Sequence, residues 1–328
     1  MSASLVQQPA TGNSSFANRA LTAVITLGVG TFGQTGKNTV TLGGLRAAAT
    51  ITKHGSPGMD AAEMRLYGVT PDVMNQVSTL GIPLPMVRHN NTLTIQAGDN
   101  INGMAPVFSG YLRNAWQDFT DLPETCLHLL AWSSVVAAVV PVAPVSFPGG
   151  ADVATLMSGF AETMGLAFEN SGVQAQLSSP YFAGTTLQQA QKCARAANIE
   201  MYIDTQANPP ILAIWPKTGT RKGVVPLISA ASGMFGYPTF MDFGMEFATV
   251  FNRNIRVGGQ ITMQSSVGSA TTYANPALPT PQTVLSGGPN GLWYVAGPMT
   301  HDLTAQIPDG PWTTQCACSR AFAGAPVG

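Results

Sequence analysis

Charged residues are scarce in this sequence. Only 9% of the 328 residues are Asp, Glu, Lys or Arg, whereas an ordinary globular protein has roughly 25%. Apolar residues make up a normal 45%, so Gly, Ala, Ser, Thr, Gln and Asn replace the missing charge. Such a weakly charged surface is poorly suited to a free monomer. The composition therefore favours a subunit covered by copies of itself or by partners, with a secreted protein rich in Ser and Thr as the alternative.

An excess of charge of either sign is also missing. The chain has 15 basic and 16 acidic residues, which gives a net charge of -1. A protein that grips nucleic acid needs a basic stripe to neutralise phosphates. No such stripe occurs, so tight binding to a phosphate backbone is not expected.

Signals for secretion or membrane insertion are absent from the pattern. The first 20 residues have no charged region followed by an apolar core, so we do not expect a signal peptide. The most apolar run covers residues 127–145 and contains Pro141 and Pro144. Because proline breaks a helix, we interpret this run as a buried strand or helix followed by an extended tail, with no stable membrane span.

Four cysteines are present, and none forms a CxxC motif. No histidine follows them at zinc-binding spacing. Cys316 and Cys318 are two residues apart in a predicted strand, so they share one face. Reduced thiols are the expected state, with metal binding as a weaker alternative.

Motifs for catalysis are lacking as well. The sequence has no G-x-S-x-G motif, phosphate loop, H-E-x-x-H motif or calcium loop. The histidines are isolated from one another: His54, His89, His128 and His301. His301 and Asp302 would face opposite sides of a strand, so a joint metal site is not expected. Glu162 lies off the apolar stripe of a helix, which argues against an acid pair with Glu169. We expect no enzyme, and no catalytic, cofactor-binding or metal-ligating residue.

The chain divides into three predicted domains: residues 1–147, 148–217 and 218–328. The first is rich in strands, among them "NTVTLGGLRAAATITKHG" and "NTLTIQAGD", whose β-branched residues alternate with others. Residues 62–67 are predicted to be a strand. Residues 71–79 are predicted to be a short helix, with Thr70 as N-cap and Pro71 in its first turn.

The second predicted domain changes to helical periodicity. Its first helix carries an apolar stripe, with Asp152 as N-cap and Gly165 as the residue that stops it; the stripe consists of Val153, Leu156, Met157, Phe160 and Met164. A second helix is predicted to begin at Thr185 and Thr186 and to end near residue 197. The segments "LAFEN", "EMYIDTQ" and "ILAIWP" are predicted strands, which gives a small α+β domain.

The third predicted domain consists of strands and turns. In residues 245–252 the apolar residues alternate, so Met245 and Phe247 point one way while Glu246 and Ala248 point the other. Neither face of this strand has as many charged residues as are expected of a surface exposed to water. Residues 268–290 are rich in Gly, Pro, Ser and Thr and are predicted to be a long loop between two strands.

The third domain contains, in this order, "GMEFATVFNRNIRVGGQITMQSS", "NGLWYVAGPMTHDLTAQ" and a turn from Pro308 to Trp312. These motifs resemble those of the tail hub (baseplate hub) proteins of tailed bacteriophages, with Asp309 in place of an expected glycine. It extends to "TVTLGGLRAAATI" and "EMRLYGVTPDVMNQVST" in the first domain, and to "SPYFAGTTLQQAQKCARAANI" in the middle. The motifs cover most of the chain, and their order carries the resemblance.

The resemblance implies a mainly β fold with two tube-like β-barrel domains and the small α+β domain. Three chains would form a pseudo-hexameric ring, a homotrimer that adapts a hexameric tail tube to a trimeric central spike. The implied partners are the tail tube or a distal tail protein, the spike protein and the tape-measure protein. Genomic DNA would pass through the ring without specific binding. The implied location is the tail or baseplate of a virion assembled in the host cytoplasm.

Three other functions remain open at the level of sequence. The nearest is the related spike hub of a contractile secretion or injection system. A cell-wall hydrolase with β domains would require a convergent catalytic site. A carbohydrate-binding β protein would present its aromatic residues on the surface of a monomer.

Overall fold

Strands dominate the computed structural model of the protein. It describes residues 18–33, 36–55, 58–79, 90–120, 122–241, 244–266 and 290–319. The strands are β1 Arg19–Thr26, β2 Thr39–Gly43, β3 Ala47–Lys53, β4 Ala61–Tyr67, β5 Thr92–Asp99, β6 Gly103–Asp118, β7 Cys126–Trp132, β8 Pro141–Ser146, β9 Ala151–Asp152, β10 Ala167–Asn170, β11 Gln176–Leu177, β12 Tyr181–Thr185, β13 Ile199–Asp204, β14 Ile211–Pro216, β15 Leu227–Ser229, β16 Met234–Met241, β17 Gly244–Val250, β18 Gln260–Gln264, β19 Gly291–Ala305 and β20 Trp312–Ser319. The helices are α1 Pro71–Val77, α2 Val135–Val139, α3 Val153–Thr163 and α4 Thr186–Ala196, with a 3-10 turn at Ala230–Ser232.

Thirteen of these strands form one sheet. Its strand order is β16-β17-β20-β19-β3-β4-β7-β6-β5-β1-β2, and β18 pairs with both β19 and β15. The sheet therefore runs without interruption from the C-terminal part of the chain into the N-terminal part. The predicted mainly β character is confirmed.

The sheet contains one five-stranded unit twice. In the first unit the spatial order is β3-β4-β7-β6-β5, and in the second it is β16-β17-β20-β19-β18. The fourth strand along the chain, β6 or β19, is long in both units, with 16 and 15 residues. The sequences of the two units show no countable repeat, so the duplication is visible only in the strand pairing.

The two units join where β19 pairs antiparallel with β3. The register runs from Met299 opposite Lys53 to Ala305 opposite Ala47. Along the same edge, the beginning of β19 pairs with β18, from Tyr294 opposite Gln260 onwards. The long strand β19 thus pairs with a strand of its own unit at its beginning and with a strand of the other unit at its end.

Buried apolar residues of the described chain group into three clusters. The first lies inside β1 and β3 to β7 and includes Leu303 and Trp312 from the C-terminal part. The second lies against β16 to β20 and includes Tyr202 and Trp215 from the middle segment. The third packs α3 and α4 on β13 and β14. Clusters one and two thus each include residues from more than one predicted domain. The positions of the domain boundaries therefore stay a prediction.

Backbone pairing closes no barrel among the strands of the described ranges. Instead, side chains bring β1 near the end of the sheet's other unit. The Arg19 guanidinium donates a hydrogen bond to the Gly310 carbonyl oxygen at 3.1 Å and lies over the Trp312 ring. Strand β1 thus contacts the beginning of β20 through a cation–π contact and one hydrogen bond rather than through a backbone ladder.

Most of the predicted elements are present. Helix α3 begins after Asp152, whose carboxylate accepts from the Thr155 amide, and Gly165 follows it with φ +69°. Helix α4 begins after Thr185 with a capping box. Helix α1 is two residues shorter than predicted, and its Thr70 makes no side-chain cap hydrogen bond. The predicted strand over residues 62–67 is β4.

Strand β17 has the two faces that its alternation predicts. Met245, Phe247 and Thr249 are buried, whereas Glu246 is exposed and Ala248 is half-buried. Because Glu246 and Ala248 lie outside the core, the second face of the strand is available for another contact. Cys316 and Cys318 share the buried face of β20, Cys126 and Cys193 are also buried, and none of the four forms a disulfide.

Two predicted turns can be compared with the structure. Asp309 has φ +52°, a left-handed conformation that glycine usually adopts and that Asp tolerates, so it fits the place of the glycine in the resembled motif. The predicted loop over residues 268–290 lies outside the described residues except for Asn290. The Asn290 side-chain oxygen accepts a hydrogen bond from the Ser265 amide, which ties the two ends of that segment together.

The two predicted N-caps differ in what the side chain does, and this difference is testable. Replacing Asp152 with Ala removes the acceptor for the Thr155 amide, so we expect a loss of about 1 kcal/mol of unfolding free energy. Thr70→Ala is the matched control, because its side chain caps nothing; its expected effect is within about 0.5 kcal/mol. Urea unfolding of the two variants measures both. Equal losses would contradict the assignment of the cap.

Candidate functional site

The most unusual feature of this weakly charged chain is a buried group of charged side chains. It lies where β3 meets β19 and where the middle segment, residues 148–217, packs on the sheet. Lys53 ends β3 opposite Met299, and its side chain is fully buried. The Lys53 ammonium donates to the Thr205 hydroxyl at 2.9 Å and lies 3.8 Å from Asp60 and 3.9 Å from Asp204. We call this group, together with Arg221 and Glu169, the junction cluster.

Asp60 links the first unit of the sheet to the middle segment. Its Oδ2 accepts hydrogen bonds at 2.7 Å from the Tyr202 and Thr205 hydroxyls. Its backbone is bound in turn to Ser133, through an amide-to-hydroxyl and an amide-to-carbonyl bond, both 2.9 Å long. The carboxylate is therefore fixed from both sides of the interface.

Asp204 and Arg221 extend the cluster into the C-terminal part. The Arg221 guanidinium donates to Asp204 at 2.9 Å, and to both oxygens of Glu169 at 3.0 and 2.8 Å. It also donates to the Val257 carbonyl at 3.3 Å, and its own amide donates to Gly258. A guanidinium bound to a carboxylate through two hydrogen bonds is geometrically restrictive. Arg221 thus holds β10, β13 and the loop before β18 in one arrangement.

Burial and mutual attraction compete in setting the protonation of the cluster. Burial lowers the pKa of Lys53 and raises the pKa of Asp60, and each charge limits the shift of the other. Burial also disfavours ionised Asp204, but the charges of Lys53 and Arg221 prevail and keep its pKa below the usual value. The pKa of Glu169 is likewise lowered, because the hydrogen bond and charge of Arg221 outweigh its partial burial.

His301 lies inside the core beside this cluster. It is fully buried in β19, its Nδ1 is 2.9 Å from the Thr314 hydroxyl, and its ring packs edge-on against Phe251. Burial, helped by the charge of Lys53, lowers its pKa to about 3. His301 is therefore a strand residue that is hydrogen-bonded at Nδ1, and with this pKa its ring is neutral at pH 7.

The junction cluster can hold segments together, and of its five charged side chains only Glu169 is partly exposed, by 27%. The side chains of Lys53, Asp60, Asp204 and Arg221 are at most 2% exposed. Glu162 is exposed on α3 and does not join Glu169, which binds Arg221. In the described parts of the chain, no group of three or more His, Cys, Asp or Glu side chains could hold a metal ion. None of the helices described here is long and apolar enough to cross a membrane.

The motif analysis missed the junction cluster, although one signal was present. Positions 47, 49, 51 and 53 of β3 all point inward, and the last of them is Lys53. In a chain with so few charges, a lysine on the buried side of a strand requires a buried partner. Its partners come from segments far away in sequence, and the sequence does not reveal that proximity.

A second candidate surface is the face of the sheet opposite the core. Directly paired residues share a face, and the pairing register defines continuous rows across seven strands. One row consists of Val250, Thr313, Asp302, Thr50, Glu63, Leu130 and Asn114. The next row consists of Ala248, Gln315, Thr300, Thr52, Ala61, Trp132 and Tyr111. We call this surface the polar face.

The polar face carries Thr, Ala, Gln and Asn together with the larger Trp132, Tyr111, Leu130 and Val250, and few charges. Its acidic residues in and beside these rows are Glu246, Asp302 and Glu63; Arg65 is a base in a neighbouring row, and the Arg113 guanidinium lies 3.8 Å from the centroid of the Trp132 ring. The Thr50 hydroxyl donates to Asp302 across the junction of the two units at 2.9 Å. Such a face has no cationic stripe that would hold a phosphate backbone.

The chain is thus a mainly β protein with a repeated five-stranded unit in one continuous sheet and a small α+β segment between the two copies. A sequence profile of the family described as "Baseplate hub gp41" matches residues 23–274. The chain belongs to this baseplate hub family. A search of curated proteins found no match. The resemblance to tail hub proteins is therefore confirmed, and the protein is a structural component of a phage tail.

Solved structures share the fold at very low sequence identity. A tail protein from Neisseria meningitidis MC58 is 7% identical with a TM-score of 0.54, covering 90% of this chain and 96% of its own. A 43 kDa tail protein of prophage MuSo2 from Shewanella oneidensis is 9% identical with a TM-score of 0.53, covering 91% and 96%. An E. coli type VI secretion component, similar in structure to the T4 tail proteins gp27 and gp5, is 8% identical with a TM-score of 0.50, covering 84% and 73%.

Removing Arg221 should strongly destabilise the protein. Arg221→Met leaves Asp204 and Glu169 without their main buried partner, so we expect a loss of about 3–5 kcal/mol of unfolding free energy. Arg256→Met is the matched control, because Arg256 is 4.0 Å from Asp204 but 43% exposed, and its expected loss is below about 1 kcal/mol. Chemical denaturation compares the two, and similar losses would contradict the special role of Arg221.

The buried His301 should make the free energy of unfolding depend on pH. Its pKa is about 3 in the folded chain against a usual 6.5, so the unfolded chain binds the extra proton between these values. His301 therefore contributes stability that is lost as the pH falls from about 6.5 towards 3, by at most about 1.4 kcal/mol per pH unit.

His301→Asn keeps a hydrogen-bonding group near Thr314 and removes the titration. The stability difference between wild type and this variant should shrink as the pH falls through that window, as measured by urea unfolding at several pH values. His54→Asn, a change at an exposed histidine, provides the control. A difference that stays constant with pH for His301→Asn would refute the assignment.

Proposed function

We propose that this protein is the homotrimeric hub of a phage tail, with two tube-like units per chain. Three chains give six units in a pseudo-hexameric ring, which adapts a hexameric tail tube to a trimeric central spike and lines the DNA channel. The tail tube or a distal tail protein, the spike protein and the tape-measure protein are its partners. The role is structural and involves no catalysis.

The repeated five-stranded unit carries this proposal. A chain that contains the same strand arrangement twice, joined side by side in one sheet, can present two similar surfaces to a sixfold partner while its own assembly has threefold symmetry. The predicted domains 1–147 and 218–328 each contain one copy of the unit, and 148–217 contains the α+β insert. Ring closure would also cover the outer strands, which otherwise remain open to aggregation.

The polar face supports the role of channel lining. DNA moving through a channel would be slowed by cationic side chains, each of which exchanges counterions for a phosphate contact. The face instead has mostly neutral residues, with Glu246, Asp302 and Glu63 against Arg65 and Arg113, so it has no excess of positive charge to hold a polyanion. This function also accounts for the alternation of β17, because its buried face packs on the second cluster and its polar face lines the lumen.

The hub of a contractile secretion or injection system is the second candidate. The likeness to the type VI secretion component favours it, but at this identity the likeness concerns the fold alone. Hydrolase and carbohydrate-binding functions have less support, because the most conspicuous charged side chains of the described chain are buried in the junction cluster.

The mass of the native protein in solution tests the proposal. We expect light scattering to give a stable species of about three times the chain mass of 34.2 kDa at several concentrations. Electron microscopy of that species should show a ring with a central hole. A strictly monomeric protein would argue against the hub, and a dimer would be inconsistent with six units in a ring.

A further inference from the structure

The first strands and the long strands of the two repeated units differ in how many partner strands they have. Strand β3, the first strand of unit one, is paired on both sides, by β19 and β4. Strand β16, the first strand of unit two, pairs only with β17 among the described strands. The two long strands differ in the same way. The beginning of β19 pairs with β18, and its later part pairs with β3. The beginning of β6 pairs with β5, but in the described sheet its later part pairs only with β7. Among the described strands, β16 and the end of β6 thus each have one edge without a partner strand; at the end of β6, Asn75 of α1 accepts a side-chain hydrogen bond from Gln117.

The two units can be superposed residue by residue through their pairing registers. Tyr111 is opposite Trp132 in unit one, and Tyr294 is opposite Ser319 in unit two. Residues of β7 and β20 that lie the same number of positions from these two pairs are equivalent, and so are their partners in β6 and β19. By this count, Asp118 in β6 is equivalent to Asp302 in β19. In both long strands, β6 and β19, a bulge also follows the residue that comes directly after this tyrosine.

The first strands of the units correspond in the same way. Thr50 is opposite Glu63 in β3 and β4, and Thr239 is opposite Glu246 in β16 and β17. The register along β7 and β20 makes Glu63 equivalent to Glu246, so Thr50 is equivalent to Thr239. The same threonine–glutamate pair therefore occurs at the same place in both units.

From these equivalences we propose that β16 of one chain pairs antiparallel with the end of β6 in a second copy of this chain. The contact repeats the pairing of β3 with β19, and it rests on the trimeric hub proposed above. Thr239 then lies opposite Asp118 of the neighbouring copy, as Thr50 lies opposite Asp302 within the chain, where the hydroxyl donates to the carboxylate at 2.9 Å. This head-to-tail contact closes a ring when its rotation is threefold.

The side chains at both strands suit an interface between copies. Phe235 and Tyr237 in β16 are 49% and 62% exposed, and Phe119 and Leu122 beyond β6 are 52% and 68% exposed. Exposed aromatic side chains are typical of contact surfaces. Pairing would bring the two apolar groups to the same seam, next to the new strand ladder.

The available part of β6 defines where the contact begins. The Thr79 amide donates to the Ala115 carbonyl, and the Ala115 amide donates to the Thr79 hydroxyl, both at 2.9 Å. Thr79 therefore occupies this edge at Ala115, the position equivalent to Met299. The added strand begins after it, with Trp116, and continues past Asp118 towards the apolar residues of the β6–β7 turn.

A cysteine cross-link tests the register directly. Residues directly opposite each other on neighbouring strands have Cα atoms about 4.5–5.5 Å apart, within the range that a disulfide spans. The double variant Asp118→Cys with Thr239→Cys should form disulfides between chains under mild oxidation. A denaturing gel without reductant should show bands at two and three times the chain mass. The four native cysteines are buried and interfere little.

Two matched variants serve as controls. Thr50→Cys with Asp302→Cys is the equivalent pair within one chain, so it should form a disulfide without any increase in mass. Thr50→Cys with Asp118→Cys uses side chains of the same face that are not opposite each other in the proposed ring, so it should not cross-link.

The outcomes separate the interface from the trimer. Interchain bands for the Asp118–Thr239 pair alone support the proposal. A trimer by light scattering without these bands, while the intrachain control is oxidised, would overturn the interface and leave the hub intact. Absence of both trimer and bands would overturn the interface and the hub together. Equal bands for the Thr50–Asp118 pair would show non-specific contact and also reject the assigned register.

Discussion

The arrangement of this chain depends on the ion pairs and hydrogen bonds of the junction cluster. Lys53 lies at the end of the β3–β19 pairing, and Asp60 directly precedes the next strand, β4. Asp204 ends a strand of the middle segment, and Arg221 precedes the second unit. Each charge in this apolar setting must find its partner, because an unpaired buried charge costs several kcal/mol. The two sheet units and the α+β insert are thereby held in one relative orientation.

Buried ion pairs are a poor source of net stability, since removing both charges from water costs about as much as their attraction returns. Their value here lies in geometry. An apolar junction would tolerate sliding, whereas the two-bond contact of Arg221 with Glu169 and the shared hydrogen bonds of Asp60 do not. In the proposed hub, whose two units would face a sixfold partner, a fixed orientation matters more than a few additional kcal/mol.

The low charge of the chain follows from the same architecture. One face of the sheet packs on the apolar clusters, and the opposite face presents Thr, Ala, Gln and a few acids. If that face lines a channel, both faces of most strands are hidden from bulk solvent in the assembled ring. The outer strand β16 and the end of β6 then find partners in neighbouring copies, which removes the exposed edges that would otherwise promote aggregation.

The sequence by itself determined the local structure of this protein. Alternation predicted β4 and β17 with their faces, helical periodicity predicted α3 and α4, and Asp152, Gly165 and Thr185 marked helix ends, because these features depend on neighbours in sequence. The ordered motifs also indicated the baseplate hub family. Only the tertiary structure decided that Lys53, Asp60, Asp204 and Arg221 meet, that β3 pairs with β19, and that the strand unit occurs twice. These depend on contacts between segments 100 to 250 residues apart, and no local pattern of residue types encodes which distant segments come together.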